Sequence, residues 1–124
     1  MDKVVHFEIP FDNMERAKKF YKKAFGWKME DLPEIGYVLV YATEKSGAKT
    51  PVGINGGFFR RGKEAKYPIL VIGVASVERA IKKVIAAGGK LVTPRRRIPM
   101  GSYARVKDSE GNVIGLADSD RSVK

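Results

Sequence analysis

The chain holds one histidine, His6, and no cysteine. His6 lies two residues before Glu8 in residues 3–9, where Val5, Phe7 and Ile9 alternate with Val4, His6 and Glu8. Side chains two apart on a strand share a face, so the imidazole and the carboxylate point the same way. His6 can serve there as a ligand or a general base near neutral pH, or it is simply hydrogen-bonded to a neighbour. Glu8 can serve as a base or a second metal donor. Equally it pairs with Arg105, because a buried carboxylate is costly without a partner. Tyr37, Tyr41 and Tyr103 can stack a flat ligand or donate hydrogen bonds, or they are present because aromatic residues suit strands. The lack of cysteine excludes disulfides, thiolate metal sites and a Cys nucleophile. There is no G-x-S-x-G, P-loop or dinucleotide fingerprint.

Charge narrows the partners. Lys and Arg number 24 against 14 Asp and Glu, a net charge of +10. Such a field attracts phosphates, carboxylates, nucleic acid or acidic headgroups and disfavours a cationic ligand. Two basic runs stand out. Arg95, Arg96 and Arg97, between Pro94 and Pro99, read as a rigid loop before the seventh strand, and Arg60-Arg61-Gly62-Lys63 forms a second patch. Either they capture anions or they are solvated loop charge. No helix-turn-helix, RNP, KH or zinc pattern accompanies them, so a nucleic-acid partner is not expected. A basic nucleic-acid-associated surface protein stands as the alternative from another class.

The elements that must position these groups come from an internal repeat. Asn13-Met14-Glu15-Arg16-Ala17 returns 63 residues later as Ser76-Val77-Glu78-Arg79-Ala80, and Gly26 returns as Gly89. Each copy reads as a helix. The first turns Ala17, Phe20, Tyr21, Ala24 and Phe25 inward, and the second Val77, Ala80, Ile81, Val84 and Ile85. Asp12 or Asn13 caps the first and Ser76 the second; Gly26 and Gly88-Gly89 end them. Strands are predicted over residues 3–9, 27–31, 36–43, 52–59, 90–93, 102–107 and 113–118. Residues 68–74, nearly all apolar, predict a strand buried on both faces. Residues 45–51 and 60–66 read as polar loops, and 109–112 as a tight turn. The order is βαβββ twice, an α+β domain spanning 1–124, with one module over about 1–60 and the other over about 67–120. The two sheets are expected to curve into an open cup with the helices on its outer faces.

The N-terminus has no signal-peptide pattern and no long apolar run follows, so a cytoplasmic protein with no membrane partner is expected. The absence of glutamine, with three asparagines and many Lys, Arg and Glu, fits a thermophile.

Val5-His6-Phe7-Glu8-Ile9-Pro10, Glu15-Arg16-Ala17-Lys18-Lys19-Phe20-Tyr21 and Phe25-Gly26-Trp27 resemble the opening of vicinal-oxygen-chelate proteins, the glyoxalase, bleomycin-resistance and dioxygenase-like superfamily. Ala87-Gly88-Gly89-Lys90 resembles its second-helix exit, and residues 107–116 its closing hairpin. Members of that superfamily that are enzymes hold a divalent cation with His or Gln and Glu from the first and last strands of each module. On that register His6 matches a ligand position, Ile69 and Gly115 stand where ligands would be, and Gly53 is the first-module counterpart of Gly115. The resemblance is therefore to a glyoxalase-related subgroup lacking the usual metal-ligand Glu, and no metal or other cofactor is expected. With the family register, alternation places His6, Glu8, Tyr37, Tyr41, Asn55, Ile69, Val71, Tyr103, Arg105, Gly115 and Ala117 on the cup face. His6 and Glu8 are the catalytic candidates. Tyr37, Tyr41, Asn55, Tyr103 and Arg105 are the ligand-binding ones. The resemblance implies a small anionic or aromatic molecule bound in the cup, with metal-independent lyase or isomerase chemistry as one use. A metal-dependent lyase or dioxygenase-type enzyme is the alternative, and enzyme and binder both stay open. Single-chain members commonly pair, so a homodimer is expected.

Overall fold

The computed structural model describes residues 1–43 and 53–119. The chain clusters into two compact units, His6–Pro68 and, separately, Met1–Val5 with the chain from Ile69 on. They are called the first and second modules below.

The first module contains most of β1 (Lys3–Phe11), then α1 (Met14–Phe25), β2 (Lys28–Leu32), a single 3-10 turn at Pro33–Ile35, β3 (Tyr37–Tyr41) and β4 (Gly56–Arg60). Its strand order is β2-β3-β4-β1, antiparallel except for the parallel β4–β1 pair. The second module contains β5 (Ile69–Gly73), α2 (Val77–Ala86), β6 (Lys90–Ile98), β7 (Gly101–Lys107) and β8 (Val113–Ser119). Its order is β6-β7-β8-β5, again with one parallel pair, β5–β8. The fold class is α+β with two βαβββ modules, as the repeat predicts.

Local chemistry sets the helix ends. The Asn13 and Ser76 side chains accept the Arg16 and Arg79 backbone N–H groups, each satisfying an otherwise orphaned donor. Gly26 ends α1 at φ +74°, a left-handed conformation that costs glycine nothing. Each helix then covers one sheet face. Under α1 lie Phe11, Val38, Val40 and Phe58, with Tyr21 stacked on Trp27 at 4.9 Å. Val77 of α2 packs on Ala104, Val106 and Leu116. Complete burial of such side chains contributes about 1.5–3 kcal/mol each.

Several expectations are corrected. Ala24, Phe25 and Phe20 are exposed on α1, and Ile85 is exposed on α2. Helical spacing draws a broad apolar stripe, but only Met14, Ala17 and Tyr21 of α1 reach the core beneath it. In β5, Ile69 and Val71 are buried while Leu70 is 53% exposed, so that strand is not covered on both faces. The strand predicted over 52–59 is β4, Gly56–Arg60, and Val52 lies outside the described residues, as do residues 45–51. Arg95, Arg96 and Arg97 are not a loop: β6 runs through them to Ile98. Pro94 is accommodated because β6 ends its module's strand order and shifts register at that point, which removes the need for a ladder N–H.

Candidate functional site

In the first module the β1 side chains divide as alternation requires. Phe7, Ile9 and Phe11 pack under α1, while His6 and Glu8 lie on the opposite face. Val38 and Val40 of β3 also face α1, which turns Tyr37 and Tyr41 to the other side. Tyr37 joins the three groups together. Its hydroxyl donates to Glu8 Oε2 at 3.0 Å, and its oxygen lies 3.0 Å from His6 Nε2. A phenol has one proton. With that proton on the bond to Glu8, His6 must donate from Nε2, so the neutral ring carries its lone pair on Nδ1.

Gly57 makes this chain possible. It pairs with Glu8 on one side and Leu39 on the other, and a Cβ there would run into the Tyr37 phenol. The ring crosses β4 over a residue without a side chain. The sequence signal was the Gly56-Gly57 pair inside a strand pattern, which marks a close approach.

Burial sets the electrostatics. Glu8 is 5% exposed. Desolvation holds the His6 imidazole below its ordinary value, and the Glu8 carboxylate opposes that by favouring the cation. His6 is thus a neutral base at pH 7 whose protonated form has a carboxylate in reach through Tyr37.

Two other expected residues do different work. Asn55 Oδ1 accepts from the Ala42 and Thr43 backbone N–H groups and from the Thr43 hydroxyl, pinning the end of β3 beside the start of β4. Tyr41 is 42% exposed and donates to Glu30 at 2.9 Å, remote from the His6–Glu8 chain in hydrogen bonding.

The second module repeats the device with other chemistry. Val71 pairs with Gly115 as Glu8 pairs with Gly57, and Arg105 pairs with Gly115 as Leu39 pairs with Gly57. The counterpart of Gly115 is therefore Gly57, not Gly53. Loop lengths shift the register: Gly57 follows Tyr37 by twenty residues, and Gly115 follows Tyr103 by twelve. Tyr103 lies against Gly115, where a Cβ would stand 3.0 Å from the phenol oxygen. That oxygen accepts from Arg105 Nε at 2.9 Å. Ala117 lies on β8 opposite Tyr103.

The metal that the resemblance implies does not fit these residues. Ile69 is buried and apolar, Gly57 and Gly115 carry no donor, and a tyrosine ring occupies the space over each glycine. His6 Nε2 is engaged with Tyr37. Among the described residues no three His, Cys, Asp or Glu side chains gather into a cation site. Nor, among them, is any helix long and apolar enough to cross a membrane.

Comparison with known proteins agrees with this architecture. Residues 3–42 match the family described as bleomycin resistance protein-like, N-terminal. The chain is 27% identical over 119 residues to CFP32 of Mycobacterium bovis and of Mycobacterium tuberculosis, a protein provisionally named a glyoxylase. That alignment covers 94% of this chain and 45% of CFP32, so the chain spans about half the length of these relatives. Among solved structures, methylmalonyl-CoA epimerase from Mycobacterium tuberculosis shares the fold at TM-score 0.63 and 16% identity, over 97% of this chain and 89% of that one. A methylmalonyl-CoA epimerase in complex with methylmalonyl-CoA and ammonium aligns at TM-score 0.67 and 15% identity, over 98% and 96% of the two chains.

Proposed function

We propose that the chain is a vicinal-oxygen-chelate-type protein, a reading supported by the family match over residues 3–42 and by the shared fold, and that it binds a small anionic or aromatic molecule on the first module's strand face turned away from α1 and moves a proton on that molecule without a metal. The observation that carries this reading is the Glu8–Tyr37–His6 chain. His6 Nδ1 takes a proton from the bound molecule. The imidazolium formed keeps its Nε2–H on the Tyr37 oxygen, and the buried Glu8 charge stabilises it through that phenol. Return of the proton to a different carbon of the same molecule is an isomerase step; loss of a leaving group from the adjacent carbon, with the proton kept on His6, is a lyase step. The epimerase complex with an acyl-CoA supports a small anionic ligand for this fold.

The test is solvent exchange. Metal-free protein is incubated in heavy water with small carboxylic acids and acyl thioesters chosen by thermal-shift screening, and deuterium at the carbon next to the carbonyl is read by NMR. We expect incorporation that falls at least about a hundredfold in H6Q, the lower bound for a general base. Exchange that H6Q leaves intact, or that needs added divalent metal, would sink the reading. A symmetric homodimer belongs to it too, supported by the aromatic pair Phe20 and Phe25 exposed on α1. Sedimentation giving only monomer at tens of micromolar, on the order of an obligate dimer's working range, would remove the dimer.

A further inference from the structure

The lysines of α1 are not spread evenly around the helix. Glu15, Lys18, Lys19 and Lys22 stand at i, i+3, i+4 and i+7, the spacing that puts side chains on one face. That face flanks the stripe of Met14, Ala17 and Tyr21 that packs on the sheet. β2 ends the strand order, so no further strand pairs with its outer edge. Between the helix face and the start of β2 runs an open cleft of about 440 Å³, lined by Glu15, Lys18, Lys19, Lys22, Lys28 and Met29.

The four ammonium groups of the cleft are not alike. Lys18 Nζ donates to Glu15 at 3.3 Å and to Asp31 of β2 at 3.0 Å, which ties the helix to the strand. Lys19, Lys22 and Lys28 are exposed, and among the described residues their ammonium groups have no carboxylate or hydrogen-bond partner. Like charges gathered in this way repel one another. The C-terminal dipole of α1 favours Lys22 and Lys23 in its last turn, but it does not account for Lys19 or Lys28. Met29 gives the cleft an apolar wall, since it packs on the core beneath α1.

We propose that this cleft binds a small soluble molecule carrying two or more phosphate groups, with Lys19, Lys22 and Lys28 on its oxygens and Lys18 as the fixed wall. An ammonium is a compact point charge with three donors, and it takes phosphate oxygens without the planar fork of a guanidinium. A single carboxylate answers one of the three free charges, whereas a di- or triphosphate chain answers all of them. The volume lies within the range of small-molecule sites, about 300–1,000 Å³. The cleft is on the α1 side of the sheet, and His6 and Glu8 are on the other. The site is therefore separate from the proton-transfer reading and does not rest on it.

The experiment is a calorimetric titration of the whole chain with inorganic tripolyphosphate, pyrophosphate and orthophosphate, in metal-free buffer at constant ionic strength. We expect one-to-one binding that weakens in that order. K19A, K22A and K28A each weaken tripolyphosphate binding about fivefold, the upper end for an exposed charge pair. K23A, the same loss of charge on the same helix but off the cleft, stays within about twofold, as screened charges do. E15Q removes the only acid among the lining residues and should tighten binding. Equal losses in K22A and K23A, weaker binding in E15Q, or equal affinity for orthophosphate and tripolyphosphate would overturn the site. So would a short single-stranded DNA that binds more tightly than tripolyphosphate and loses as much in K23A as in K22A, because that is the response of general surface charge.

Discussion

Each module lays a tyrosine from its third strand against a glycine of its last strand, and the two tyrosines end in opposite chemistry. Over Gly57, Tyr37 meets a buried carboxylate and an imidazole; beside Gly115, Tyr103 meets a guanidinium. The scaffold position is the same, since Glu8 and Val71, and likewise Leu39 and Arg105, occupy equivalent pairings. What differs is which neighbour carries the charge. The first module puts it on the strand parallel to the glycine strand, and the second on the antiparallel one. The repeated strand pairing supplies the geometry, and single side chains give one module an imidazole beside a carboxylate and the other a guanidinium.

The largest expected effect breaks the glycine device. In G57A the new methyl group meets the Tyr37 phenol, whereas in G115A it stands 3.0 Å from the Tyr103 oxygen and from a Val71 methyl, a tight fit that small shifts relieve. G57A should lose about 2 kcal/mol, as overpacked sites do, and G115A about half of that. Urea denaturation reads both, and equal losses would dissolve the comparison. Next comes the hydroxyl itself. Y37F removes a hydroxyl that joins Glu8 to His6 and should cost about 1.5 kcal/mol; Y103F removes the oxygen that accepts from Arg105 and should cost about 1 kcal/mol or less. The helix caps should not distinguish the modules: N13A and S76A should each cost about 1 kcal/mol, read the same way.

The smallest effect sharpens the difference in pH response. Burial holds His6 below its ordinary value of 6.5, so the unfolded chain takes up a proton that the fold resists. Above that value the group is neutral in both states and contributes no slope. As pH falls from 6.5 through the folded value, stability is lost. H6Q should flatten that part of the acid limb. E8Q should lower the His6 titration midpoint further, because the Glu8 charge raises it. Proton NMR of the His6 ring reads the midpoint, and a rise in E8Q would contradict the assignment. The second module, with Arg105 in place of a titrating group, should add no such step.

Much of this was legible in the residues, for reasons that differ from element to element. Alternation in β1 placed His6 and Glu8 on one face, because strand side chains repeat every two residues whatever surrounds them. The caps at Asn13 and Ser76 follow from local hydrogen bonding alone. The pairing partner of Gly115 was not legible. The repeat offset of 63 residues holds through the helices and fails after them, since connections of unequal length intervene. Tyr37 was expected on the face of His6 and Glu8, but that it bridges them was hidden for the same reason, although the Gly56-Gly57 pair marked a close approach. Arg95, Arg96 and Arg97 looked like a loop because two prolines flank them; an edge strand tolerates such a proline at a bulge.

By itself the sequence determined two βαβββ modules, their helix ends, the shared face of His6 and Glu8 and the strong positive charge. These depend on backbone periodicity, capping and composition, all of which act within a few residues. Only the tertiary structure decided that Tyr37 reaches across Gly57 to Glu8, that Tyr103 receives Arg105, and that Arg96 rather than Arg95 pairs opposite Tyr103. Those outcomes depend on strand register. Register is set where chains of different loop length and bulge meet, and no local pattern along one strand records it.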